Sequence, residues 1–139
     1  QLTEAIELDA KSFEGIILAR RLPRDTEESI KVRDEAIMQA SFYAAAVPLK
    51  SAEMCLEGMN LALRMVQIGN LNAISDAASG VYQANAGLEA AVLNVKINLM
   101  GYEEETRSQE LLARASQLKE AAAKVLEKLK STLSERAQL

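Results

Sequence analysis

Residues 26–69, TEESIKVRDEAIMQASFYAAAVPLKSAEMCLEGMNLALRMVQIG, decide the fold of this chain because they favour one long helix. Asp25 or Thr26 can cap its N-terminus, and the two glutamates that follow lie where the helix dipole favours acids. Gly69 is typical of a helix C-terminus. We predict a helix over nearly the whole stretch, kinked at Pro48 because proline removes one backbone hydrogen bond.

Three further helices are predicted around it. The first covers about residues 2–21 and ends before Pro23, because the residue before a proline avoids the α region. The third starts at a cap supplied by Asn72 or Ser75 and reaches about residue 100. The acids at 103–105 predict a turn and the first turn of a fourth helix. Apolar side chains recur every three or four residues in the first helix (Leu2, Ile6, Ala10, Phe13, Ile17) and in the fourth (Leu111, Ala115, Leu118, Ala122, Val125, Leu129, Leu133).

The composition agrees with an all-α chain. Its 139 residues suit one domain, 49% of them are hydrophobic, and only 2 Pro and 6 Gly are present. This is too apolar for a disordered chain and too poor in turn residues for a β-sandwich. We predict a single domain over 1–139, an antiparallel bundle of long helices. Because Gln1 already lies in a helical pattern, we expect an N-terminal segment to be missing.

Charge and residue usage exclude several function classes. The net charge of -4 argues against nucleic acid and anionic membranes as partners, and no apolar run is long enough to span a bilayer. Without His, the chain alone builds no imidazole base and no His metal ligand. The single cysteine, Cys55, excludes an internal disulfide and a cysteine zinc cluster, and is interpreted as a small core residue. We expect no metal.

Small side chains crowd the third helix. In a helix they are useful chiefly where another backbone approaches closely, so this is predicted to be a central helix or a subunit interface. The residues concerned are Ala73, Ser75, Ala77, Ala78, Ser79, Gly80, Ala84, Ala86, Gly87, Ala90 and Ala91.

Two amides on the third helix form a candidate polar site. Asn94 and Asn98 are four residues apart and therefore project from one face. They are either an interhelical pair that sets register or a hydrogen-bonding platform. In an antiparallel bundle, Asp9 of the first helix falls within one or two turns of their height. Asp9, Asn94 and Asn98 are therefore predicted to converge near Pro48, unless Asp9 is simply an exposed acid.

A second polar group lies at the start of the third helix. Ser75 suits an N-cap and Asp76 a first-turn acid that complements the dipole. Asp76 and Asn94 are 18 positions apart, about 27 Å along a helix, so they cannot share one small site within a subunit.

Several of these features resemble one known family in order and approximate spacing. They are IELDAKSF at residues 6–13, RLP at 21–23, VPL at 47–49, GN at 69–70 followed by SD at 75–76, and NVKINL at 94–99. This ordered set resembles the formiminotetrahydrofolate cyclodeaminase family, which also includes methenyltetrahydrofolate cyclohydrolases. The resemblance runs from about Leu2 to Leu133 and concerns the cyclodeaminase domain.

The resemblance implies a cytoplasmic, homodimeric helical bundle that acts on one-carbon tetrahydrofolates without a tightly bound cofactor. The implied reaction is ammonia loss from formiminotetrahydrofolate with ring closure to the methenyl form, or hydrolysis of the methenyl form. It implies Asp9 and Asp76 as acid-base groups, with Asn94 and Asn98 positioning the substrate. Ser75 and Lys96 complete the implied substrate-binding set, Lys96 meeting the glutamate tail.

One feature of the family is not found in this sequence. Full-length members begin with a further helix preceded by a glycine-rich segment, and no glycine here has that context. We therefore expect the chain to be incomplete or a degenerate relative. Two alternatives to a folate enzyme follow: a catalytically silent scaffold or assembly subunit derived from the family, and an unrelated helical adaptor.

Overall fold

The computed structural model describes the backbone of residues 2–138 and the side chains of residues 7–138. Four long helices make up this part of the chain, with no strand in it: α1 (Leu2–Arg20), α2 (Glu27–Ile68), α3 (Ile74–Asn98) and α4 (Thr106–Ala137). A short 3-10 turn, Leu71–Ala73, precedes α3. The predicted all-α class is confirmed.

Consecutive helices run in opposite directions. The helices α2 and α3 are antiparallel: Gly80 lies opposite Ala62, and Asn98, later in α3, contacts Ala44, which is earlier in α2. Along α2 and α4 the facing positions run in the same order, Arg114 meeting Glu53 and Arg136 meeting Val66. This is the up-and-down arrangement of a helical bundle.

The central element is α2, which packs against each of the other three helices. Thr26 is its N-cap: the Thr26 side chain accepts from the Ser29 N–H at 3.1 Å, and Ser29 Oγ accepts from the Thr26 N–H at 2.9 Å. This capping box satisfies two backbone donors. Pro48 lies buried inside α2, which continues on both sides of it; a kink there stays a prediction.

The core lies between α2, α3 and α4. The predicted apolar stripe of α4 is the stripe that packs inward, because every other face of that helix carries charge. The largest side chains with less than 2% exposure are Met59, Leu88, Leu99, Leu129, Val66, Val81, Val92 and Val95.

The apolar residues whose spacing predicts α1 are largely exposed where the structure describes their side chains. Phe13 is 62% exposed and Ile17 is also exposed, whereas Ser12, Ile16 and Ala19 are buried against the bundle. The side chains of Leu2 and Ile6 lie outside the described residues. Two stripes of α1 have helical spacing, and the stripe with the smaller side chains allows the closer approach to α2.

The glycines of α2 and α3 confirm that these helices approach closely. A Cβ at Gly80 would lie 3.5 Å from the Ala62 Cβ, and one at Gly87 would lie 3.0 Å from Cys55 Sγ. Larger side chains at these positions would push the helices apart, so the small residues of α3 allow its close approach to α2.

Gly69 ends α2 as predicted, but the details of the capping between residues 69 and 75 differ from expectation. Gly69 ends α2 in an extended conformation and not in the left-handed one common at helix ends. Its lack of a side chain matters because a Cβ would collide with the Met65 carbonyl oxygen. Asn70 caps the 3-10 turn, its Oδ1 accepting from the Asn72 N–H at 3.0 Å. The N-cap of α3 is Ala73, which makes no side-chain cap hydrogen bond, so neither Asn72 nor Ser75 caps α3 as predicted.

The turn from α3 to α4 also differs. The acids at 103–105 precede α4 and do not form its first turn. Gly101 adopts a positive φ of 87°, and its N–H donates to Glu103 Oε2 at 2.9 Å. That hydrogen bond stabilises the carboxylate and lowers the pKa of Glu103. Within the described residues, no helix is long and apolar enough to cross a membrane.

Candidate functional site

A polar cleft opens where α1, α2 and α3 meet. It encloses about 180 Å³ and is lined by Asp9, Ser12 and Phe13 of α1, Ala44 of α2, and Asn94 and Asn98 of α3. Asp9 carries the only charge among these six residues. The structure therefore brings together three side chains that the sequence predicts to converge: one carboxylate and two amides.

A hydrogen bond within α1 stabilises the wall of the cleft that carries Asp9. Ser12 is 2% exposed, and its hydroxyl donates to the Asp9 backbone carbonyl at 2.8 Å. This bond occupies the Ser12 hydroxyl within α1, so Ser12 stabilises the turn that carries Asp9. The Asp9 carboxylate is exposed and is the group of this wall that is open to a ligand.

The α3 wall is formed by the two amides. Asn98 is half-buried, and its Nδ2 donates to the Ala44 carbonyl oxygen at 3.0 Å. Asn94, one turn earlier, is exposed. Asn98 thus makes an interhelical contact, as the first of the two alternatives predicts, and also lines the cleft. A carboxylate beside amides can hold a cationic or N–H-rich group and exchange a proton with it.

The other predicted site residues lie elsewhere. Ser75 and Asp76 are exposed in the first turn of α3, about 27 Å along the helix from Asn94. Lys96 is exposed and, two residues from either amide, projects about 160° away around α3. None of the three lines the cleft with Asp9.

Three lining residues are absent from the sequence-based set. Phe13 appears there among the periodic apolar residues of the first helix, and Ser12 only within the IELDAKSF stretch. Ala44 does carry a signal, because it stands four residues before a proline within a helix, where the carbonyl loses its usual donor.

Cys55 lies outside the cleft and packs against the core. Burial raises the pKa of its thiol, which favours the protonated form over the nucleophilic thiolate. Within the described residues, no group of three carboxylates or thiols is arranged to hold a metal ion.

A scan against protein-family models matches residues 1–117 to the formiminotransferase-cyclodeaminase family. The chain belongs to the formiminotransferase-cyclodeaminase family. All six residues of the cleft fall within the matched range, whereas the C-terminal half of α4 lies beyond it.

Curated relatives support membership of the formiminotransferase-cyclodeaminase family. The chain is 35% identical over 132 residues to a methenyltetrahydrofolate cyclohydrolase of Methylorubrum extorquens, covering 95% of this chain and 64% of that protein. It is 32% identical to a formimidoyltransferase-cyclodeaminase of Rattus norvegicus and 31% identical to that of Sus scrofa, covering 88% and 94% of this chain. It spans 23% and 25% of those two proteins.

Proposed function

We propose that this chain is a one-carbon folate enzyme whose active site is the cleft between α1, α2 and α3. The reaction is either the deaminating cyclisation of 5-formiminotetrahydrofolate to 5,10-methenyltetrahydrofolate with release of ammonia, or the hydrolysis of methenyltetrahydrofolate. The observation that carries the proposal is that Asp9, Asn94 and Asn98 line one cleft in a chain of this family.

The chemistry of both reactions suits one carboxylate. In each, the reacting carbon is bonded to two nitrogens and is amidinium-like, so it carries positive charge. The Asp9 carboxylate stabilises that charge and carries the proton. In the cyclisation, N10 of the substrate, which lies outside the pterin ring, forms a bond to the carbon and loses a proton, while the departing nitrogen gains one and leaves as ammonia. Asp9 mediates this exchange.

Asn94 and Asn98 hold the substrate against Asp9. Amide groups donate and accept hydrogen bonds without titrating, so they orient a polar ring over a wide pH range. Ser75, Asp76 and Lys96 have no part in this cleft within one subunit, and we assign Asp76 instead to the helix dipole of α3.

The active form that we propose is a cytoplasmic homodimer with no tightly bound cofactor. Support for the dimer comes from α3, where Tyr82, Leu93, Ile97 and Met100 are between 48% and 66% exposed. With Ala86 and Ala90 they repeat at the three- and four-residue spacing of a helix-pairing seam. The seam adjoins Asn94, so a second copy seated on it borders the cleft.

The test is a paired assay on the natural chain, with any residues that precede or follow this sequence included. The protein is mixed with formiminotetrahydrofolate and separately with methenyltetrahydrofolate, and the methenyl absorbance and free ammonia are followed together. Appearance of the chromophore with ammonia identifies a cyclodeaminase. Loss of the chromophore from the second substrate without ammonia identifies a cyclohydrolase. An Asp9→Asn variant run in parallel excludes a contaminating enzyme.

If neither substrate reacts, the proposal is contradicted, and the result favours the alternative, a catalytically silent scaffold or assembly subunit derived from this family.

A further inference from the structure

Pro48 leaves one buried carbonyl of α2 without its usual partner. In an α-helix the N–H of each residue donates to the carbonyl oxygen four residues earlier, and proline has no N–H. The carbonyl that loses its donor is that of Ala44, which is only 2% exposed. A buried carbonyl without a partner costs free energy comparable to a lost hydrogen bond.

Asn98 supplies the missing donor from another helix. Its Nδ2 donates to the Ala44 oxygen at 3.0 Å, although 54 positions separate the two residues. Within residues 7–138 this is the one side-chain hydrogen bond that joins α2 to α3. The proline and the asparagine therefore act together: one removes a donor and the other replaces it.

The hydrogen bond to Ala44 determines the orientation of the Asn98 carboxamide. A carboxamide has a donor end and an acceptor end, and the opposite rotamer would set Oδ1 against the Ala44 oxygen, acceptor facing acceptor. The NH2 group therefore keeps its hydrogen bond to the Ala44 oxygen. Oδ1 is left free to accept a hydrogen bond from a ligand in the cleft that Asn98 lines. Beside it, the Asp9 carboxylate is also an acceptor.

We propose that Pro48 is a positioning residue: by removing the donor to Ala44 it fixes Asn98 with its oxygen toward the cleft, which then selects a ligand group that donates N–H. The identity of that group rests on the proposed function. The N–H donors that both substrates carry are those of the pterin and of the amide before the glutamate tail, whereas the formimino nitrogen and N10 donate only in the formimino substrate.

A double-mutant cycle in urea unfolding tests the coupling without any assay of activity. The four proteins are wild type, Pro48→Ala, Asn98→Ala and the double variant. When Pro48 is present, Asn98→Ala leaves the Ala44 carbonyl without a hydrogen-bond donor. In the Pro48→Ala background a backbone N–H replaces that donor. We expect Asn98→Ala to raise the unfolding equilibrium constant about tenfold more in the Pro48 background. Equal increases in the two backgrounds overturn the proposal.

Asn60 provides the matched control. Its Nδ2 also donates to a backbone carbonyl, that of Leu56 at 2.9 Å, but within α2, where the N–H of Asn60 itself is available to Leu56. Asn60→Ala should show no coupling to Pro48→Ala. Coupling as large as that of Asn98 would mean that the proline acts on α2 generally, which overturns the specific role.

A further variant keeps the test decisive if Pro48→Ala does not fold. Asn98→Asp replaces the donor with a second acceptor facing the Ala44 oxygen. It should raise the unfolding constant more than Asn98→Ala does, and the reverse order overturns the proposal.

Kinetics separate positioning from folding. In Pro48→Ala the Asn98 carboxamide is freed to turn, so KM should rise by about tenfold while kcat, set by Asp9, changes less. A rise with both substrates identifies an N–H donor that both carry, and a rise with formiminotetrahydrofolate alone identifies the formimino nitrogen or N10. An unchanged KM with both overturns the positioning role. A wild-type chain without activity would reject the proposed function and leave the unfolding cycle as an independent result.

Discussion

Arg136, in the last turn of α4, donates a hydrogen bond of 3.0 Å to the carbonyl oxygen of Gly69, 67 positions earlier in the chain. The same guanidinium also donates to the Val66 carbonyl. The last turn of α2 holds no basic residue of its own. Arg136 therefore satisfies terminal carbonyls of α2 from another helix, where a positive charge also complements the helix dipole.

Arg136→Ala should consequently lower the free energy of unfolding by about 1.5–3 kcal/mol, the usual range for hydrogen bonds to a charged group. Arg114→Ala is the control, because its ion pair with Glu53 is exposed and should contribute under about 1 kcal/mol. Urea unfolding of both variants provides the comparison. A larger loss for the Arg114 variant would refute the capping role.

The two candidate acid-base residues can be separated by kinetics. Asp9→Asn should lower kcat by about 100-fold or more, because the carboxylate proposed to carry the proton is gone. Asp76→Asn, at the far end of α3, should lower it far less. Steady-state rates on the better of the two folate substrates test this. Normal turnover by Asp9→Asn together with a slow Asp76→Asn would transfer the acid-base role to Asp76.

The exposed seam of α3 predicts a dimer that one charge disrupts. Ile97→Glu places a carboxylate in an apolar interface, where burying it without a partner is costly. We expect light scattering after size exclusion to give a dimer for wild type and a monomer for Ile97→Glu. Val32→Glu, at a similarly exposed apolar position of α2, should remain dimeric. A monomeric wild type at tens of micromolar would reject the seam as an interface.

Two glycines should respond in opposite ways to alanine. Gly15 lies within α1, and a methyl group added there would meet no other atom within 4 Å, so Gly15→Ala should raise the free energy of unfolding by about 0.5–1 kcal/mol. Gly69→Ala should lower it, because the new Cβ collides with the Met65 carbonyl oxygen. Thermal unfolding of the pair measures both shifts. If both variants change the free energy of unfolding in the same direction, one of these sites is not governed by packing.

The Ser108 hydroxyl is a buried polar group with no hydrogen-bond partner among the described residues. Ser108→Ala should stabilise the protein by about 1 kcal/mol, because it removes an unsatisfied group and favours the helix. Ser116→Ala, at an exposed position of the same helix, measures the propensity gain alone. Chemical denaturation should show the larger gain at Ser108, and an equal or smaller one would indicate that its hydroxyl is hydrated.

The extents of the helices were predictable from the sequence, because the signals that end a helix are local. Pro23, the Thr26 cap and Gly69 act within a few residues of their own positions, and α2 accordingly runs from Glu27 to Ile68. The inward face of α4 was predictable for a related reason: its charged residues leave a single apolar stripe to bury. The height at which Asp9 meets Asn98 followed from helix rise and short connections.

The contacts that build the site were decided by tertiary structure. Periodicity alone does not choose between the two stripes of α1, and it is packing on α2 that buries Ser12 and leaves Phe13 at the cleft. The sequence determined that the Ala44 carbonyl needs a donor, since Pro48 follows four residues later. Only the approach of α3 to α2 decided that Asn98 provides it, because a side chain can satisfy a distant carbonyl only when packing brings the two within about 3 Å.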